Sequence, residues 1–243
     1  MPISKILCLS TLLALQVACT QQDQNSPQVS LVLAPCERDQ QTGAPPAVGG
    51  AECGVLQLAE NPADTESKLI DIHIMRWPAI SATGDDDPLF VIAGGPGQSA
   101  SGVAPHFVQA FFNIRKNRDI VFVDQRGTGK SNAMHCDEDD EAFSLLEYSQ
   151  IANQRALKNI KRCAQKFEDS AEFYTTYYAV DDLEQVREAL GYHTINLWGG
   201  SYGTRVVLTY MAEYPEALRS VIMDGLAPVA IALPSTIGRD ARR

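Results

Sequence analysis

Thr194-Ile195-Asn196-Leu197-Trp198-Gly199-Gly200-Ser201-Tyr202-Gly203-Thr204 is the stretch that decides how this chain folds. Its first half is a short apolar run, long enough for one buried strand and too short for a helix. Its second half is a G-x-S-x-G pattern, Gly199-Gly200-Ser201-Tyr202-Gly203. An amphipathic stretch, Tyr202 to Tyr214, comes next, and Pro215 ends it. A serine between strand and helix sits on a sharp turn that pushes its hydroxyl out at the carboxyl end of a sheet. Gly199 and Gly203, two residues either side, let neighbouring backbone approach without Cβ clashes. The start of the helix brings backbone N–H groups and a positive dipole beside the serine. Ser201 is therefore the candidate nucleophile, and the Tyr202 N–H is one candidate donor to an oxyanion.

Outward from this motif, three further runs share its character: Leu89-Phe90-Val91-Ile92-Ala93, Asp119 to Asp124, and Ser220 to Asp224. Short runs apolar on both faces suit a parallel sheet covered by helices. Helical patterns lie between them, at Phe107 to Asn117 and at Ala179 to Leu190. In the latter, Val180, Leu183, Val186 and Leu190 form one stripe and Gly191 is the stop. Such strand–helix alternation predicts a doubly wound α/β sheet. Before it, Ile70, Ile72 and Ile74 alternate with Asp71 and His73 within Lys68 to Trp77, as in a strand with one buried face, and Gly54 to Leu58 reads as a shorter strand. Residues 137–170 are acidic at the start. Phe143, Leu146, Ile151, Leu157 and Ile160 then predict helices inserted at the edge of the sheet.

Two glycine-rich loops follow strands. Ala93-Gly94-Gly95-Pro96-Gly97-Gln98-Ser99 stands where a hydrolase of this architecture supplies its second oxyanion N–H. Pro96 has no N–H, so Gly95 is the candidate donor, with Gly94 next and Gly97 supporting the turn. Gly95 to Ala100 also fits G-x-G-x-x-A, the dinucleotide loop. Pro96 inside the turn speaks against that, as does the lack of an acidic residue ending a following strand at the right distance unless Asp124 is borrowed. Asp124-Gln125-Arg126-Gly127-Thr128-Gly129-Lys130-Ser131 ends like a phosphate loop, but Asp124 stands where that loop needs glycine. It reads instead as a structural turn in which Arg126 pairs with a carboxylate near the floor of the site.

In this order, Gly-Gly-Pro-Gly, Asp-Gln-Arg-Gly-Thr-Gly-x-Ser and Gly-Gly-Ser-Tyr-Gly-Thr-Arg resemble the proline iminopeptidase family, and within it the exported tripeptidyl aminopeptidases, over residues 50–240. The resemblance implies an α/β-hydrolase fold, a mostly parallel sheet with helices on both faces and a helical cap. It implies cleavage of residues or short peptides from the amino terminus of a peptide through an acyl-enzyme on Ser201. No metal or organic cofactor is implied, and the partner is a peptide or small acyl substrate. Ala93 departs from the pattern, since many relatives have histidine before the glycine pair. An ester hydrolase on the same scaffold and a catalytically silent envelope lipoprotein are the two other readings.

In α/β-hydrolases the triad acid and histidine follow the serine along the chain. Here all four histidines, His73, His106, His135 and His193, precede Ser201. His193 falls at the amino end of its strand, about 20 Å from the catalytic side. His106 reads as a surface or cap contact, and Asp224 as a structural carboxylate. Residues 51–243 therefore read as the nucleophile-bearing N-terminal part of the domain, truncated before the last strands and most of the cap. Little turnover is expected, because a serine without a base is a weak nucleophile.

The composition is that of an ordinary globular chain, with a net charge of −10 over 243 residues, which disfavours nucleic acid and anionic membrane surfaces as partners. Residues 1–18 read as an export signal: Lys5 is the only charge, and Ile6 to Ala18 is an apolar run too short for a permanent span. Residues 19–50 read as a polar tether. Leu15-Gln16-Val17-Ala18-Cys19 resembles a bacterial lipoprotein box with Gln16 in place of the usual Leu, making Cys19 the lipidation candidate and a lipid anchor the only membrane contact. The alternative is cleavage near Ala18 and a soluble periplasmic product. Beyond Cys19 stand Cys36, Cys53, Cys136 and Cys163, an even number that suggests disulfides in an exported chain, with Cys36–Cys53 and Cys136–Cys163 the simplest pairing. Metabolic labelling with a fatty acid is expected to tag Cys19, and Cys19→Ser to lose the tag; an unlabelled wild type would leave the soluble form.

Overall fold

The computed structural model describes residues 31–37, 46, 48–136 and 150–230. The signal segment 1–18, Cys19 and residues 137–149 of the insertion lie outside the described residues. Seven strands, β1 Ala34–Pro35, β2 Glu52–Ala59, β3 Leu69–Trp77, β4 Leu89–Ile92, β5 Ile120–Val123, β6 Ile195–Gly200 and β7 Leu218–Asp224, form one sheet in the order β1-β2-β3-β5-β4-β6-β7. The neighbours from β5 through β4 and β6 to β7 pair in parallel, whereas β1, β2 and β3 join antiparallel. Since β2 is antiparallel to β3, and β3 to β5, β2 runs with the central four. The sheet is mixed but mostly of one direction, as the alternation of apolar runs predicts.

The central strands are buried on both faces, and the period of two sorts their side chains. Phe90, Ile92, Val121, Val123, Ile195 and Leu197 enter one core, while Leu89, Val91, Ile120 and Phe122 enter the other. Each such side chain contributes roughly 1.5–3 kcal/mol when fully buried. A slip of one residue would exchange the two sets, so the register is strongly specified. Helices α4 Thr176–Ala189 and α5 Gly203–Glu213 cover the first face with Val180, Leu183, Val186, Val206, Val207 and Tyr210. Helix α1 Ala100–Phe107 covers the second with Ala100 and Ala104. A short α2, Phe112–Arg115, follows it, and α3, Gln150–Lys166, lies in the insertion.

Several expectations shift. The helix after β4 begins at Ala100 rather than Phe107, because Ser99 caps it: its Oγ accepts the Gly102 N–H at 2.9 Å. Gly102 and Pro105 are poor helix residues and hide that start in the sequence. Part of the stretch read as a tether packs on the domain: β1 pairs with β2, the Cys36 N–H donates to the Ala51 carbonyl at 3.0 Å, and Val48 is buried. In the insertion, Leu157 and Ile160 are exposed, not buried against the sheet. β7 forms as expected, yet Ile222 and Met223 are exposed, because no described strand pairs with its outer edge. The cysteines come together locally, Cys36 with Cys53 and Cys136 with Cys163, at Cα–Cα distances of 4.8 and 5.5 Å.

Arg126 is the main buried cation of the fold. Its Nε and Nη2 donate to Asp182 of α4 at 2.7 and 2.6 Å, and Nη1 donates to the carbonyls of Glu60 and Phe173 at 2.8 and 2.9 Å. The guanidinium carbon lies 5.3 Å from the centre of the Tyr178 ring. Breaking a buried pair of this kind strands the other charge. Arg126→Met is expected to lower stability in urea unfolding by about 3–5 kcal/mol, and the double variant with Asp182→Leu to recover much of that. Equal stability of Arg126→Met and wild type would contradict the assignment.

Candidate active site

β6 ends at Gly200, and Ser201 takes φ 51° in the left-handed region, which costs a non-glycine residue roughly 1–2 kcal/mol. Several contacts offset that strain. The Ser201 N–H donates to the Asp224 carbonyl at 2.7 Å, tying the turn to the end of β7. Its carbonyl accepts the Thr204 N–H at 3.0 Å and the Thr204 hydroxyl at 2.6 Å. Buried Thr204 in turn accepts the Ala227 N–H at 2.9 Å. Glycine is required on either side for space: a Cβ on Gly199 would lie 2.5 Å from the Gly203 carbonyl oxygen, and one on Gly203 would lie 2.6 Å from that of Ile92. Ser201 itself is exposed.

The first glycine loop abuts this turn. A Cβ on Gly94 would lie 2.9 Å from the Gly200 carbonyl oxygen and 3.1 Å from Ser201 Cβ. Gly95 and Gly97 have φ near 100°, a conformation that favours glycine. The Gly94 N–H donates to Gln98 Oε1 at 3.3 Å. Among the described residues, the N–H groups of Gly95 and Tyr202 donate to no other group. Both are therefore free to meet a ligand oxygen.

Asp124 fixes the loop from behind. Fully buried, it accepts Ser99 Oγ at 2.9 Å, the Ser101 N–H at 2.8 Å, Ser101 Oγ at 2.8 Å and the Lys130 N–H at 3.1 Å. His73 Nδ1 lies 3.5 Å from its Oδ2. Burial pushes the carboxyl up, but His73, the N–H groups of Ser101 and Lys130 and the Ser101 hydroxyl outweigh it and hold the group below the ordinary aspartate range. Arg126 stands apart, paired to α4 rather than lining the cavity.

Ser201, Gly94 and Gly95 line one cavity of about 650 Å³ at the carboxyl ends of β4, β6 and β7, where open α/β sheets bind ligands. Asp224 and His106 line it too. His106 is exposed, as the surface reading expects, and it also lines the cavity. Because α1 starts early, its last turn carries the exposed imidazole to the cavity wall. His193 precedes β6 and its carbonyl accepts from Arg187, at the other end of the strand as expected. The carbonyl of His135 accepts from Lys166 Nζ. Sequence reasoning missed Ser99, Ser101 and Thr204, whose hydroxyls organise the two loops. The capping position of Ser99 was the signal, hidden by a helix placed too late.

The family described as alpha/beta hydrolase fold matches residues 87–242. Serine protease Hip1 of Mycobacterium tuberculosis is 30% identical over 190 residues, covering 73% of this chain and 36% of that protein. Proline iminopeptidase of Neisseria gonorrhoeae is 30% identical over 156 residues, covering 64% of this chain and 37% of that protein. This chain thus spans about a third of the length of the curated relatives it matches. Among solved structures, the proline iminopeptidase of Mycobacterium smegmatis is similar at 20% identity and a TM-score of 0.42, over 63% of this chain and 39% of that one.

A carboxyl whose folded pKa is depressed contributes stability above its unfolded value and loses it as pH falls through the folded one. Asp124→Asn is therefore expected to be less stable than wild type by about 3 kcal/mol near neutral pH, with the gap closing below about pH 4. Urea unfolding of both proteins across that range measures it; a gap that ignores pH would refute the ionised role.

Proposed function

The chain belongs to the alpha/beta hydrolase family, and from that membership we propose a serine peptidase that releases residues or short peptides from the amino terminus of peptides through an acyl-enzyme on Ser201. What carries the proposal is the contact between the Gly94–Gly95 loop and the Ser201 turn on one cavity. The peptidase names of relatives such as Hip1 and proline iminopeptidase support the substrate class.

In this proposal, Ser201 Oγ attacks the carbonyl carbon and the carbonyl oxygen becomes negative. The N–H groups of Tyr202 and Gly95 stabilise that oxygen, aided by the amino terminus of α5. The serine proton passes to a base and on to the departing amine, and water then releases the acyl group. Of the described imidazoles, only His106 lines this cavity, and no described carboxylate holds it in place. The paired cysteines support a site of action outside the cytoplasm, with the protein anchored through Cys19 or free in the periplasm. No helix of the described residues is long and apolar enough to cross a membrane.

An alkyl fluorophosphonate is expected to form a single adduct, mapped to Ser201 by mass spectrometry and lost in Ser201→Ala. Any turnover of amides with a free amino terminus is expected to be lost in the same Ser201→Ala variant. A folded protein that never acquires the adduct would favour the silent lipoprotein instead.

A further inference from the structure

We propose, resting on Ser201 as the nucleophile, that the cavity selects an aromatic or large apolar side chain on the residue whose carbonyl is attacked, with Trp198 and Phe107 as the selecting wall. The indole of Trp198 folds back over the backbone just before the nucleophile. A Cβ on Gly200 would lie 2.7 Å from Trp198 Cη2 and 3.2 Å from Cζ3. Any larger residue at position 200 would displace the ring, so Gly200 keeps the indole against the turn. The wall therefore begins one residue from Ser201, within reach of the attacked residue's own side chain.

The wall is built in advance. Phe107 meets Trp198 edge-on at 4.8 Å and 66°, and stacks on Phe111 at 5.0 Å and 9°. Phe111 closes the triangle against Trp198 at 5.9 Å. Phe111 is buried, whereas Phe107 and Trp198 are half-buried and line the cavity with Val103. Such ring pairs hold one another in a defined geometry. Beneath them, Ala100 and Ala104 seat α1 on the sheet. An aromatic side chain would complete this apolar surface, while a carboxylate would lose hydration against the negative faces of the rings. Glycine would leave the surface uncovered. Filling an apolar pocket of this kind separates substrates by roughly 10–200-fold.

The chain has two tryptophans, so a ¹⁵N-labelled sample carries an internal control. Trp77 Nε1 donates to the Gly49 carbonyl at 3.2 Å and does not line the cavity. Titrated into the full chain, phenylalaninamide is expected to shift the Trp198 indole cross-peak and spare that of Trp77, binding at least about tenfold more tightly than glycinamide. Phe107→Leu keeps apolar bulk but removes the ring and should abolish most of that preference. Should that variant fold poorly, Val103→Phe, which narrows the cavity from the side of α1, should abolish it instead. Equal affinities for the two amides, no shift with either, or a shift of Trp77 alone would overturn the proposal. Ser201→Ala should retain the binding preference, so this test can fail while fluorophosphonate labelling of Ser201 succeeds, and the reverse.

Discussion

Backbone lies directly on backbone where β4, β6 and β7 end, and the rest of the site depends on that contact. Gly203 lets the start of α5 rest on the carbonyl of Ile92, Gly199 lets the strand rest on the helix, and Gly94 lets the first loop rest on Gly200. No side chain intervenes, so none can relax to absorb an error. The left-handed torsion of Ser201 survives because the surrounding hydrogen bonds, to Asp224 on one side and Thr204 on the other, leave it no alternative. The hydroxyl is exposed as a result of main-chain geometry, and its position relative to the Gly95 N–H is set by the same contacts.

The segment after β5 joins that arrangement to the layers around it. Asp124 gathers hydrogen bonds from Ser99, Ser101 and Lys130, so it holds the glycine loop and the first turn of α1 together. Arg126, two residues on, reaches the other way, to Asp182 of α4 and the carbonyls of Glu60 and Phe173. One short loop thus ties helices on both faces to the centre of the sheet. Buried ions of this kind add little net stability over apolar replacements. Their partners are directional, however, and an apolar residue would not orient the loop.

Much of the architecture was legible in the linear order of residues. The runs at Leu89, Asp119, Thr194 and Ser220 became adjacent parallel strands, and the stripe of Val180, Leu183 and Val186 became the buried face of α4. The Ser201 turn was equally legible, because the G-x-S-x-G spacing between an apolar run and an amphipathic stretch is a local pattern. Errors fell where local propensity and tertiary packing disagree. Gly102 and Pro105 argue against helix, yet Ser99 and the seating of Ala100 and Ala104 outweigh them, and with α1 came the position of His106 and Phe107. Ala34 and Pro35 fall within the stretch read as a polar tether, although the apolar Leu31-Val32-Leu33 just before them was a strand signal; they pair because β2 offers an edge, and a disulfide ties Cys36 to Cys53.

Strand faces, the bend at Ser201 and the need for glycine at position 199 were determined by the sequence alone, since each depends on torsions and sterics within a few consecutive residues, whereas the need for glycine at 203 is set by the distant Ile92 carbonyl. Only the tertiary structure decided which distant groups meet. Arg126 finds a carboxylate 56 residues away, and Trp198 finds two phenylalanines on the far side of β5 in the chain. Such partners are chosen by how layers pack in three dimensions, where the cost of an unpaired charge or an unfilled space is settled by neighbours that sequence distance does not reveal.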